Sequence, residues 1–166
     1  LVRQQAFDAG VVISASHNPA HDNGIKILRR SGEKITDATE RRLERLLDTA
    51  RPEPGDDLPQ IDASLADSYL ELLHETIGGG RPLAGMKVVV DAANGAASGL
   101  AEDLLDRLGA RVTAIASNPD GLNINADCGA TAPQRLAERV RSEGADAGVA
   151  LDGDADRCIL VDESGT

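Results

Sequence analysis

The chain has 166 residues, 41% hydrophobic, 27% charged and 1% aromatic, with a formal net charge of −11. Such acidity excludes general binding to nucleic acid or to anionic membranes, which need a cationic face, and one Phe, one Tyr and no Trp provide no row of rings for stacking single-stranded bases. No apolar run approaches the roughly 18 residues of a membrane span, and Cys128 and Cys158 are too few and too far apart for a disulfide framework or a zinc site.

The two cysteines read as small core or loop residues in a reducing, cytoplasmic setting. No charged-then-apolar leader opens the chain, and its start at Leu1 and stop at Thr166 lead to the expectation of a piece from something longer. In chain order, Val11-Val12-Ile13 after Gly10 predicts a first strand and residues 24–28 a second. A helix is expected from Asp37, which has capping-box spacing to Glu40, with Leu43, Leu46, Leu47 and Ala50 on its inner face. Residues 51–59 hold three prolines among acids and read as an exposed loop. Ser64 is the expected cap of a helix with a Leu65, Tyr69, Leu72 and Leu73 stripe, ended by Gly78-Gly79-Gly80. The pattern restarts there, which divides the chain into domains at 1–80 and 81–166.

Beyond the glycines, residues 86–90 predict a buried strand closed by Asp91, then a turn at Gly95 and a helix on Leu100, Leu104 and Leu108. Gly109 stands where a left-handed helix stop belongs. A strand at 112–116, a polar loop at 118–131 and a helix from Pro133, buried through Leu136 and Val140, come next. Strands at 147–151 and 158–161 complete the pattern. Strand–helix alternation predicts an α/β fold with a largely parallel sheet covered by helices.

Ligands of such sheets collect beyond the carboxyl ends of the strands, and two strands lead there into unusual loops. The strand at 147–151 runs into Asp152-Gly153-Asp154-Ala155-Asp156-Arg157. The small Gly153 and Ala155 let three carboxylates turn inward, where unit charges 4 Å apart repel by about 4 kcal/mol at an effective dielectric of 20. A hard divalent cation removes that cost, and three Asp oxygens suit Mg²⁺. A plain acidic turn is the competing reading. An EF-hand is another, with Glu163 at its twelfth position, but Arg157 stands where that loop has glycine and the flanks read as strands. A phosphatase with an aspartate nucleophile is a third, although three crowded carboxylates are more naturally all ligands.

The strand at 11–13 runs into Ser14-Ala15-Ser16-His17-Asn18-Pro19. Ser16 offers a hydroxyl beside small Ala15, and His17 and Asn18 carry donors for phosphate oxygens. Ser–His adjacency alone says little, because a hydrolytic triad is built in space, and an ordinary serine turn competes. Beside the acidic loop, a phosphorylated Ser16 supplies a fourth anionic ligand to Mg²⁺, and the metal stabilises charge during phosphoryl transfer.

With Asp22-Asn23-Gly24-Ile25-Lys26 following, the two loops resemble in content, order and separation the phosphoserine and metal loops of the α-D-phosphohexomutase superfamily, along essentially the whole chain. Val90-Asp91-Ala92-Ala93-Asn94-Gly95 is similar to the family as well. Gly121-Leu122-Asn123-Ile124-Asn125 and Cys128-Gly129-Ala130-Thr131 resemble the phosphoglucosamine mutases within it, although Ala130 stands where Ser is commoner and Ala132 where His or an acid is often found.

The resemblance implies two α/β phosphohexomutase-type domains, the first partial, with mixed or parallel sheets covered by helices, out of a four-domain enzyme. It implies that phosphorylated Ser16 donates to glucosamine 6-phosphate and recovers a phosphoryl group from the 1,6-bisphosphate, releasing glucosamine 1-phosphate. Asp152, Asp154 and Asp156 then hold Mg²⁺ with a phosphoserine oxygen, and Arg157 neutralises phosphate. Lys26 serves proton transfer or leaving-oxygen stabilisation, and His17 and Asn18 position the phosphoserine. His21 and His74 receive no role. Phosphomannomutase or phosphoglucomutase is the alternative sugar assignment, and a non-catalytic metal-binding module the alternative of another class. The expected partner is a phosphosugar, with no nucleic acid and no membrane; the sequence does not give an oligomeric state. The sugar-selecting third and fourth domains fall outside the chain, so the piece is expected to be inactive alone.

Overall fold

The computed structural model of the protein describes residues 1–51 and 60–166. The expected loop at 51–59 thus lies, apart from Arg51, outside the described residues. Strands β1 (Ala9–Ile13) and β2 (Ile25–Arg29) pair antiparallel, with Val11 opposite Ile27 and Ile13 opposite Ile25. Such β-branched pairs suit a pleated surface. Residues 14–24 between them form one long loop, closed where Ser14 N donates to Gly24 O at 2.9 Å. Gly24 is required there, since a Cβ would run into the Ser14 carbonyl.

Helix α1 (Asp37–Leu47) forms where expected, but with a different cap. Thr36, in extended backbone, accepts the Thr39 N–H on Oγ1 at 3.3 Å. Asp37 and Glu40 fall inside the first turn, where they favour the helix dipole, and Glu40 pairs with Lys34 Nζ at 3.1 Å instead of closing a capping box. The expected inner face is only partly covered by described residues: Leu43 is half-buried, whereas Leu46 and Leu47 are 55% and 71% exposed, and Ala50 lies past the helix end.

Helix α2 (Ser64–Thr76) is also anchored earlier than expected, at Asp62 instead of Ser64. Asp62 Oδ1 accepts from Ser64 N at 3.0 Å and from Ser64 Oγ at 2.6 Å, because an ionised carboxylate is the stronger acceptor. Its buried centre is Leu70, with Leu65, Leu72 and Leu73 half-buried around it and Tyr69 at the rim. The helix runs out into Gly78, Gly79 and Gly80, all at positive φ, a succession only glycine tolerates.

The second sheet contains β3 (Lys87–Asp91), β4 (Arg111–Ile115), β5 (Ala147–Leu151) and β6 (Cys158–Asp162), in the order β4-β3-β5-β6. Helix α3 (Leu100–Arg107) joins β3 to β4, and α4 (Gln134–Glu143) joins β4 to β5 after a 3₁₀ turn at Gly129–Thr131. β3 is parallel to both β4 and β5, whereas β5 and β6 are antiparallel. Residues 152–157 alone link β5 to β6, too short a span for a parallel crossover. The sheet is therefore mixed, and the acidic loop is a hairpin tip.

Val89, Leu136, Val140 and Ala150, each 0% exposed, form the core with Ala145 and Val161. Leu136 and Val140 press α4 onto β5 at Gly148, where a Cβ would come within 3.0 Å of Leu136 Cγ. Pro133 stands one residue before α4 as its N-cap, and Gly109 and Gly144 take positive φ at helix stops. α2 packs on α3, with Arg107 Nη2 3.1 Å from Asp67 Oδ1, although the expected boundary at Gly80 runs between them. No described helix is long and apolar enough to cross a membrane.

Candidate functional site

The β1–β2 loop and the β5–β6 hairpin tip meet, although 136 residues separate Ser16 from Asp152. Ser16 Oγ donates to Asp152 Oδ2 at 3.0 Å and accepts from Arg157 Nη2 at 3.0 Å. Asp152 is only 1% exposed. Its Oδ1 accepts the Asp156 and Arg157 backbone N–H groups at 3.1 and 3.2 Å, and its Oδ2 accepts Arg157 Nε at 3.1 Å. Asp154 Oδ2 accepts from Ser14 Oγ at 2.8 Å and from Lys26 Nζ at 3.3 Å. Asp156 sits exposed at the rim.

Burial pushes the Asp152 carboxyl up, but hydrogen bonds from Ser16 and from the backbone and side chain of Arg157 overcome it, holding Asp152 below the ordinary carboxylate value. Burial likewise raises Asp154, and donation from Ser14, Lys26 and Ser16 brings it below that value. Asp156 shifts up, through desolvation and then the charges of Asp154 and Asp152. Two inner carboxylates are thus anionic at neutral pH, and the outer one feels their repulsion.

One oxygen from each of Asp152, Asp154 and Asp156 lies within 4.8 Å of the others. Asp154 Oδ1 is buried and has no hydrogen-bond partner among the described residues, a cost that a cation would remove. An all-oxygen anionic donor set with an orphaned carboxylate oxygen fits a hard divalent cation such as Mg²⁺. Strands on both sides of the loop end the EF-hand reading, since that motif needs helices.

Ser16 holds φ +55°, the left-handed region that serine rarely enters unless its surroundings impose it. Ser14 supplies part of that constraint, because its Oγ accepts the Ser16 N–H at 2.9 Å while donating to Asp154. Gly153 supplies the clearance: a Cβ there would sit 2.5 Å from Ser16 O, 2.8 Å from Asn125 Nδ2 and 2.9 Å from Ile124 Cδ1. Gly153→Ala should therefore push the two loops apart and cost about 1–3 kcal/mol of stability, as overpacking does. Chemical denaturation checks this, and an unchanged midpoint would show that the two loops are not packed in solution.

Of the expected site residues, Ser16, Lys26, Asp152, Asp154 and Arg157 converge directly. His17 joins them through Nδ1, which accepts from Arg157 Nη2. Asn18 turns its side chain to its own loop, donating to Asp22 at 3.0 Å, while its carbonyl accepts from Asn125. His21 is exposed beside Asp22, and His74 meets Gly80 O at the end of α2. Sequence reasoning assigned no role to Ser14 or Asn125. Ser14 had a signal, since it lies two residues from Ser16 in the same short loop; Asn125 had none beyond lying in a marked motif.

The pattern described as phosphoglucomutase/phosphomannomutase, alpha/beta/alpha domain I matches residues 1–53, and that of alpha/beta/alpha domain II matches residues 67–165. Phosphoglucosamine mutase of Symbiobacterium thermophilum is 53% identical over 165 residues, covering 95% of this chain and 36% of that protein. The phosphoglucosamine mutase of Lactobacillus johnsonii is 49% identical over 175 residues, covering 99% and 38%. The chain thus spans little more than a third of the length of these relatives. A phosphoglucomutase/phosphomannomutase family protein from Burkholderia thailandensis shares 28% identity at a TM-score of 0.72, over 96% of this chain and 34% of that one. The fold also recurs in Aspergillus fumigatus N-acetylphosphoglucosamine mutase, solved with GlcNAc-6P and magnesium, at a TM-score of 0.54 and 18% identity over 99% and 45%.

Proposed function

The chain belongs to the phosphoglucomutase/phosphomannomutase family, and we propose that it is the part of a phosphoglucosamine mutase in which Ser16 carries the phosphoryl group. The observation that carries this reading is the placement of Ser16 Oγ between Asp152 Oδ2 and Arg157 Nη2, 3.0 Å from each. A hydroxyl set between an anionic, cation-binding cluster and a guanidinium is suited to bear phosphate. Residues 1–80 bring the serine loop and residues 81–166 the acidic loop. Asp152, Asp154 and Asp156, with an oxygen of phosphorylated Ser16, would hold Mg²⁺, whose charge offsets that of the transferring phosphoryl group.

Phosphorylated Ser16 faces the 1-hydroxyl of glucosamine 6-phosphate. The bond from phosphorus to Ser16 Oγ breaks, a bond to the sugar oxygen forms, and the hydroxyl proton is returned to Ser16 Oγ. The bound 1,6-bisphosphate then presents its 6-phosphate. Ser16 Oγ attacks that phosphorus and gives its proton to the departing 6-oxygen, and glucosamine 1-phosphate leaves. Lys26, with its side chain 49% exposed and Nζ 3.3 Å from Asp154 Oδ2, stands at the mouth to relay the proton or hydrogen-bond the sugar oxygen. Arg157 offsets charge at the transferring centre, and His17 and Asn18 position the phosphoserine. A cytoplasmic setting belongs to the same proposal, in keeping with the free thiols of Cys128 and Cys158.

The glucosamine assignment is supported by the resemblance of residues 121–131 to the phosphoglucosamine mutases and by two phosphoglucosamine mutases at 53% and 49% identity to the chain. A panel of glucosamine, mannose and glucose 6-phosphates on the full-length enzyme tests it. The expected result is a kcat/KM at least about tenfold higher for the amino sugar. A preference for mannose or glucose would move the assignment to the phosphomannomutase or phosphoglucomutase alternative. No turnover of any sugar would favour a non-catalytic metal-binding module. The 166-residue chain alone is expected to turn over none of them.

A further inference from the structure

We propose that Asn125 is a positioning residue that sets the aim of Ser16 for phosphoryl transfer, a role that rests on Ser16 being the phosphoryl carrier. Asn125 Nδ2 donates to Ser16 O and to Asn18 O, both at 3.0 Å, reaching back 109 and 107 residues along the chain. Both partners are carbonyl oxygens, so the amide has only one workable orientation; reversed, its oxygen would oppose two oxygens. Asn125 is itself braced. It sits at φ +57°, and its N–H donates to Ala93 O at 2.9 Å. The Ala93 N–H is in turn accepted by buried Asp91 Oδ1 at 2.9 Å, at the end of β3. A connected path therefore runs from the sheet to the serine loop.

The effect on Ser16 follows from which peptide groups are held. Ser14 Oγ accepts the Ser16 N–H from within the loop, and Asn125 donates to the Ser16 carbonyl from the far side. The peptides on both sides of the Ser16 Cα are thus fixed, which fixes its left-handed φ and ψ and directs Oγ at Asp152. The Asn125 amide also lies over Gly153 of the acidic loop, so one side chain registers the two halves of the site against each other. Within the motif at residues 121–125, Asn125 acts, on this account, on the serine.

The test uses the full-length enzyme with Asn125→Asp and Asn125→Gly. Both replacements tolerate positive φ, so the backbone is retained while both donors are lost, and Asn125→Asp keeps nearly the same shape. The expected result is a fall in kcat of about 100-fold, the scale of a roughly 1 Å misplacement, with KM for glucosamine 6-phosphate within about threefold. Melting midpoints should stay near wild type, and rephosphorylation of Ser16 by glucosamine 1,6-bisphosphate, followed by intact mass, should slow in parallel. Wild-type kcat in either variant would overturn the proposal, and so would kcat losses that only track lost melting midpoints. Absence of phosphate from Ser16 in the unsubstituted enzyme would instead overturn the assignment of Ser16 as carrier.

Discussion

Ser16→Ala is expected to lower kcat of the full-length enzyme by at least about 10⁴-fold, the scale of losing a covalent nucleophile. The substitution removes one oxygen, which accepts from Arg157 and donates to Asp152. Those two partners still pair directly, Arg157 Nε lying 3.1 Å from Asp152 Oδ2, so the acidic loop should keep its shape and still bind Mg²⁺ through its three carboxylates in titration calorimetry, more weakly than the phosphorylated wild type. Intact mass should show one phosphoryl group in the wild type and none in the variant. Retained activity in Ser16→Ala, with activity lost in Asp152→Asn, would point to the aspartate-nucleophile phosphatase and against the mutase.

The second large effect is expected at Asp152. Its carboxylate gathers the Ser16 hydroxyl, the Arg157 side chain and two backbone N–H groups. In Asp152→Asn one of those oxygens becomes an amide nitrogen that faces donors with a donor, and a ligand charge is lost. Affinity for Mg²⁺ should fall at least about 100-fold, beyond the 10–100-fold typical of residues that only support ligands. Without metal the variant should already melt below the wild type at neutral pH, because the donors around Asp152 stabilise its anion in the fold and hold its carboxyl below the ordinary value. Mg²⁺ should widen that gap: the wild type gains stability by mass action and the variant gains far less. An equal Mg²⁺-dependent gain in both would remove Asp152 from the cation site.

Much of the site was legible because its chemistry is local in sequence. Carboxylates on alternate residues and a serine beside small and donor-bearing neighbours can be read from six residues each. What places Ser16 against Asp152 cannot: the contact is made by Gly153 clearing the Ser16 carbonyl and by Asn125 binding two carbonyls, and backbone acceptors leave no trace in residue type. In the fold, the buried strands and α4 were readable from Val88 to Val90 and from Leu136 and Val140, which are all buried. The capping residues slipped by one or two positions where several cap-competent residues adjoin, at Thr36-Asp37 and at Asp62 and Ser64. The antiparallel turn into β6 follows from the short link after β5, a constraint of chain length that alternation alone does not carry. On α1 the apolar periodicity was real but only Leu43 of that face is even half-buried, since a pattern states which face is apolar and not what covers it.

The most direct test of the account is a crystal structure of the phosphorylated full-length enzyme with Mn²⁺ in place of Mg²⁺, read by anomalous scattering. The account predicts one strong peak touching oxygens of Asp152, Asp154 and Asp156 and one oxygen of a phosphate on Ser16. A peak away from that trio, or an unmodified Ser16 turned from it, would contradict it.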